Sequence, residues 1–139
     1  MKKHLLFFVL FAVIIAFACD DEDNSNRAEN DSTFILASAQ SDTDTLDVTG
    51  ESYTFSSPPV TVWWKMETIF LIGDSPFDLH LVNKSENNEK IVINYGGKTG
   101  PKNVVVGNFE IKKAGDYSAT LYMVDGNRKM GSKDFSVSD

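Results

Sequence analysis

Val60-Thr61-Val62-Trp63-Trp64-Lys65-Met66-Glu67 is an eight-residue run in which the apolar character repeats every second position. Val60, Val62, Trp64 and Met66 fall on one side of an extended chain, and Thr61, Trp63, Lys65 and Glu67 on the other. A helix would need apolar residues at i, i+3, i+4 and i+7, and from residue 32 onward no stretch of three turns shows that spacing. The run is therefore a strand with one buried and one outward face. Trp64 goes to the core and Trp63 to the outside.

Working outward, further runs read as strands: Phe77 to Val82, Lys90 to Tyr95, Asn103 to Val106, Phe109 to Lys112, Tyr117 to Val124 and Lys133 to Val137. Turn-forming residues separate them, among them Gly73-Asp74-Ser75-Pro76, Asn83 to Asn88, Gly96-Gly97, Gly100-Pro101, Ala114-Gly115-Asp116 and Asp125-Gly126-Asn127. Short strands with turn signals at this spacing predict an all-β, antiparallel β-sandwich. The chain ends two residues past the last of them, as expected of a closed domain.

Ala114-Gly115-Asp116-Tyr117-Ser118-Ala119-Thr120-Leu121 sharpens the reading, because it resembles the penultimate strand of immunoglobulin-like and PKD-like domains, where Gly-x-Tyr precedes alternating apolar residues. The resemblance implies a single immunoglobulin-like (PKD-like) sandwich. It also implies that Tyr117 is structural, its hydroxyl bonding back to the chain at a corner of the fold. The PKD signature Trp-x-Phe-Gly-Asp-Gly is absent, and Ile93-Asn94-Tyr95-Gly96-Gly97 stands in its place. The resemblance therefore carries the fold and no binding residues.

The first 18 residues differ in kind. Lys2, Lys3 and His4 precede an uncharged run from Leu5 to Ala18, which is the layout of a secretory signal peptide. Fourteen helical residues rise about 21 Å, short of the roughly 30 Å hydrocarbon core, so a spanning anchor is the weaker reading. Ala16-Phe17-Ala18 suits ordinary signal peptidase, and Ala18 before Cys19 also resembles a bacterial lipoprotein box. That resemblance implies lipidation of Cys19, the single cysteine of the chain, and a lipid-anchored protein with the membrane as a partner. With one cysteine, no disulfide can form within the chain.

Residues 19–31 hold Asp20, Asp21, Glu22, Asp23, Glu29 and Asp31 against Arg27, with no large apolar side chain. This composition predicts a solvated tether. An acidic run beside a lipidated cysteine resembles the export signal of surface lipoproteins of the Bacteroidetes, which implies the outer membrane and exposure on the cell surface. Asp31-Ser32-Thr33 and Asp44-Thr45-Leu46 resemble the O-glycan acceptor motif of exported proteins in that group. The expected organisation is residues 1–18 signal peptide, 19–31 lipidated Cys and tether, and 32–139 β-sandwich.

The whole chain carries a formal charge of −7, which excludes the basic footprint that nucleic acid requires. Most of that charge belongs to the tether, since the 14 acidic and 10 basic residues from Ser32 onward nearly balance. No catalytic set assembles from the sequence. His80 is the one histidine after the signal peptide, no Gly-x-Ser-x-Gly elbow is present, and no cysteine–histidine cluster suggests zinc. Gly97-Lys98-Thr99 lacks the earlier glycine of a phosphate-binding loop, and Pro101 blocks the helix that should follow. Asp42, Asp44 and Asp47 lack the glycine and terminal glutamate of an EF-hand, leaving only a looser calcium site at a sandwich end as an alternative. The reading is of a protein that is not an enzyme and needs neither metal nor cofactor.

The aromatic pair carries the functional expectation. An outward Trp63 beside Lys65 and Glu67 could stack on a sugar ring while the charged neighbours bond its hydroxyls. His80 and Tyr122, also on outward faces, would join this ligand site if their strands adjoin. The competing reading packs Phe34 to Phe55 over Trp63 as a second small core. The function expected is a cell-surface binding domain, with a glycan of a polysaccharide uptake system as its ligand. The alternative partner is another envelope protein, held through a sheet edge or the Trp63 patch.

Overall fold

The computed structural model describes residues 31–70, 72–96 and 103–139. The signal segment, Cys19, the acidic stretch through Asn30 and Gly97-Lys98-Thr99 lie outside the described residues. Among the described residues no helix forms. The strands are β1 (Ser32–Gln40), β2 (Val48–Glu51), β3 (Thr54–Ser56), β4 (Val60–Thr68), β5 (Phe77–Asn83), β6 (Glu89–Tyr95), β7 (Val104–Ile111), β8 (Gly115–Met123) and β9 (Arg128–Ser138).

They form two sheets, ordered β2-β1-β4-β7 and β3-β9-β8-β5-β6, whose facing sides enclose one core. The expected all-antiparallel arrangement holds with one exception, because β3 runs parallel to β9. The cause is a crossing. After β2 the chain leaves the first sheet, Ser52 N–H donates to the Leu36 carbonyl, and Ser136 N–H then donates to the Tyr53 carbonyl in the second sheet.

The alternation in β4 decides the packing as read: Val62, Trp64 and Met66 are fully buried, and Trp63 and Lys65 face outward. Trp64 meets Phe34 at 6.2 Å between ring centroids and Tyr95 edge-on at 5.0 Å. Its Nε1–H is buried and finds no acceptor in good hydrogen-bond geometry among the described residues, a cost that its large apolar surface offsets. A second aromatic group surrounds Phe135, with Tyr117 stacked on it at 5.3 Å and Phe55 and Phe109 each at 5.9 Å. The Tyr117 hydroxyl donates to the Lys113 carbonyl at 2.9 Å, pinning the chain as it enters β8.

Two boundaries differ from expectation. Asn103 to Val106 and Phe109 to Lys112 were expected as separate strands, yet β7 is continuous through Gly107-Asn108. Gly107 pairs with Trp64, and a Cβ there would lie 2.5 Å from the indole, so this glycine marks a close approach and no turn. At the last strand, β9 begins at Arg128, five residues before Lys133. A bulge at Met130, opposite the Leu121/Tyr122 step, breaks the alternation that would have revealed it.

Gly107→Ala should therefore lower unfolding stability by about 1–3 kcal/mol through overpacking against Trp64. Urea denaturation checks this. A neutral result would mean that the sheets can part at this point without loss.

Candidate functional site

On the outer side of the first sheet, Trp63 stands between Ala37 and Asn108, Lys65 between Ile35 and Val106, and Glu67 between Thr33 and Val104. This face is not left open. Asp47 pairs with Ser41, just past the end of β1, six residues from Ile35 and hence about 20 Å away on a straight chain. Its Oδ1 nevertheless lies 3.0 Å from Lys65 Nζ. The β1–β2 hairpin must curl back over β4, and β2 approaches β4 although β1 separates them in the sheet.

Trp63 is accordingly half-buried, and Ala37 beside it is fully buried although it faces outward. The tryptophan is neither a free platform nor the centre of a second core. Phe34, Leu36 and Phe55, expected above it in the competing reading, point into the main core instead. Lys65 is fully engaged, since Glu67 lies 3.6 Å from it on the other side. Its hydrogen bond to Asp47 raises the Lys65 ammonium and is the main reason the Asp47 carboxyl is held below its usual range, with the Val48 N–H assisting.

The hairpin also engages two of the three acidic residues considered as a calcium loop. Asp44 Oδ1 accepts from the Leu46 N–H at 2.8 Å, and Asp47 is paired with Lys65. Among the described residues no group of three His, Cys, Asp or Glu side chains is placed to hold a metal ion.

His80 and Tyr122 do not join Trp63. Their strands, β5 and β8, belong to the second sheet, so their outward faces lie on the opposite side of the sandwich from Trp63, Lys65 and Glu67. Alternation separates inside from outside, but two outward residues can still have the whole core between them. The five residues expected as one site thus lie on two opposite faces.

The second-sheet half is well organised. The His80 and Tyr122 rings lie 4.5 Å apart, tilted by 41°. Tyr122 pairs across with Asp78, whose Oδ1 accepts from Asn94 Nδ2 at 2.5 Å. His80 pairs with Thr120, whose hydroxyl is bonded to that of Ser132 at 2.8 Å. Desolvation chiefly, with Lys90 adding to it and Asp78 opposing, pushes the imidazole below its usual range, so it is neutral at physiological pH. An aromatic pair is thus bracketed by an amide–carboxylate pair and a hydroxyl pair on one sheet face.

A third feature escaped the sequence. The side of the sandwich between β6 and β7 is a wedge: the Tyr95 hydroxyl closes one end by donating to the Asn108 carbonyl at 2.7 Å. At the other end the sheets part over a cleft of about 360 Å³ floored by Leu81, Ile91, Ile111 and Tyr117. Glu86, bonded to Lys113 at 2.9 Å, is on its rim. The one available signal was the unbroken run Ile91-Val92-Ile93, too apolar for a strand with a wet face.

No family model matches the chain, and no curated protein matches it. Among solved structures it is similar to the soluble domain of PmoD from a Methylocystis species, at 8% identity and TM-score 0.47, over 76% of this chain and 90% of that one. It is also similar to the superoxide reductase neelaredoxin of Ignicoccus hospitalis, at 9% identity and TM-score 0.43, over 62% of this chain and 75% of that one. Likeness at this level bears on neither activity nor ligand.

The Asp47–Lys65 pair gives the hairpin a pH dependence. Because the Asp47 carboxyl is depressed, its contribution is present above the ordinary carboxylate range and is lost as pH falls through the lowered value. Iodide quenching reads Trp63, since Trp64 is fully buried. Quenching should rise on acidification, and Asp47→Asn should show the raised level already at neutral pH. Equal quenching in both proteins at neutral pH would show that this pair does not hold the hairpin down.

Proposed function

We propose that the chain is a non-catalytic surface lipoprotein of the Bacteroidetes type, anchored to the outer membrane through Cys19, whose domain binds glycans on the His80–Tyr122 face. One observation carries the ligand assignment: two aromatic rings 4.5 Å apart, flanked within the same sheet by the Asp78–Asn94 and Thr120–Ser132 pairs. A sugar presents an apolar C–H face and a rim of hydroxyls, and this arrangement offers a ring surface with donors and acceptors on both sides. The neutral imidazole adds a donor and an acceptor without the hydration cost of a charge.

The Trp63 face serves this role less well, because the hairpin overlies it and both Asp47 and Glu67 already hold Lys65. An immunoglobulin-like type is supported by the β9-β8-β5-β6 order opposite β1-β4-β7, with β3 parallel to β9, and by the Tyr117 corner bond. The second reading, a scaffold that engages another envelope protein, draws on the exposed Ile91 and Val92 of the β6 edge.

Affinity electrophoresis against a panel of soluble polysaccharides tests the glycan assignment. Tyr122→Ala should weaken binding about tenfold, the size of one lost stacking contact, and Trp63→Ala should leave it nearly unchanged. Binding to no polysaccharide, or equal binding by Tyr122→Ala, would remove the assignment. For the anchor, Cys19→Ser should move the protein from the membrane to the soluble fraction, and a variant that stays with the membrane contradicts lipidation.

A further inference from the structure

Strand β6 is the end strand of the second sheet, so among the described residues no neighbouring strand takes up the backbone groups on its outer edge. It also carries Ile91 and Val92, which are 52% and 44% exposed and are two of the four exposed large hydrophobics among the described residues. Ile91 is the telling one. It lies on the inward side of β6, opposite Leu81, which is only 4% exposed, yet it stays open because the cleft lies beneath it. An exposed apolar edge strand of seven residues invites pairing, and folds normally blunt such edges with proline, bulges or repeated charge. Here Lys90 is the single basic residue and there is no proline. The matching edge of the first sheet, β7, is less accessible, since Tyr95 already occupies the Asn108 carbonyl.

The sequence Glu89-Lys90-Ile91-Val92-Ile93-Asn94-Tyr95 says what fits this edge. Laid antiparallel against itself about Val92, it places Val92 on Val92, Ile91 on Ile93, Lys90 on Asn94 and Glu89 on Tyr95. Every aliphatic meets an aliphatic and no like charges meet. A parallel pairing would set Glu89 on Glu89 and Lys90 on Lys90. An antiparallel register about Ile91 would set Lys90 on Val92 and Glu89 on Ile93. We infer that β6 is a self-complementary edge through which two copies of this chain pair antiparallel about a two-fold axis at Val92, joining their five-stranded sheets into one. Ile93 of one copy then covers Ile91 of the other at the mouth of the cleft. The pairing is isologous and closes at two copies, so it yields dimers and not fibres.

Disulfide trapping of the full chain carrying Cys19→Ser tests the register. Residues facing each other across an antiparallel pair have Cα atoms about 4.5–5.5 Å apart, within disulfide reach. Val92→Cys in that background should cross-link to a dimer under mild oxidation, whereas Lys90→Cys, facing Asn94, should remain largely monomeric. Sedimentation equilibrium should show a concentration-dependent dimer for the parent chain, retained by Val92→Thr and abolished by Val92→Lys, which sets two ammonium groups on the axis. Val92 faces outward, so both variants should keep the parent circular dichroism spectrum. A monomer at all concentrations together with an unlinked Val92→Cys would overturn the inference, as would a dimer that survives Val92→Lys. Capture of an extended peptide by a β6 edge that stays monomeric would equally overturn it.

Discussion

The fold depends on one steric agreement, the Trp64 indole fitting into space that Gly107 leaves on the neighbouring strand. A large flat ring in the centre of a two-sheet core needs a partner strand without a side chain at the position it faces, and β7 supplies this at the residue paired with it. Phe34 and Tyr95 then pack on the indole from the two sheets. Because Tyr95 also reaches the Asn108 carbonyl, the same arrangement sets where the sandwich closes along its β6–β7 side and where it gapes.

Much of the architecture was legible because alternation is a local property. The outward assignment of Trp63, Lys65, His80 and Tyr122 and the inward assignment of Trp64 follow from period two alone. What stayed hidden was long-range. Gly107 looks like a break until the indole opposite it is known, and Met130 interrupts the pattern of β9 because a bulge turns it into the core. Residues 54–56 give no sign that they change sheets, and nothing near Asp47 in sequence reveals its partner Lys65, 18 positions away.

The candidate site shows the same limit from the functional side. Trp63, Lys65, Glu67, His80 and Tyr122 all face outward, but facing outward does not fix which surface a residue occupies. Once sheet membership is known they separate into a face roofed by a hairpin and a face carrying a supported ring pair. The polar neighbours of that ring pair, Asp78, Asn94, Thr120 and Ser132, come from four strands. Such a cluster exists only in the folded sheet.

The place where the chain enters the domain has a mechanical meaning. Everything upstream connects through Asp31 to the first residue of β1, and β1 is hydrogen-bonded to β4 on one side and β2 on the other. A pull from the N-terminal side directed along the strand loads the β1–β4 backbone bonds from Ser32 to Ala37 in shear, so that they share the force and do not open one after another. Ser32 is further fastened to the second sheet through the Met130 carbonyl. Under such a pull β1 is held by backbone bonds to both neighbours in its own sheet and by a side-chain bond to the other sheet.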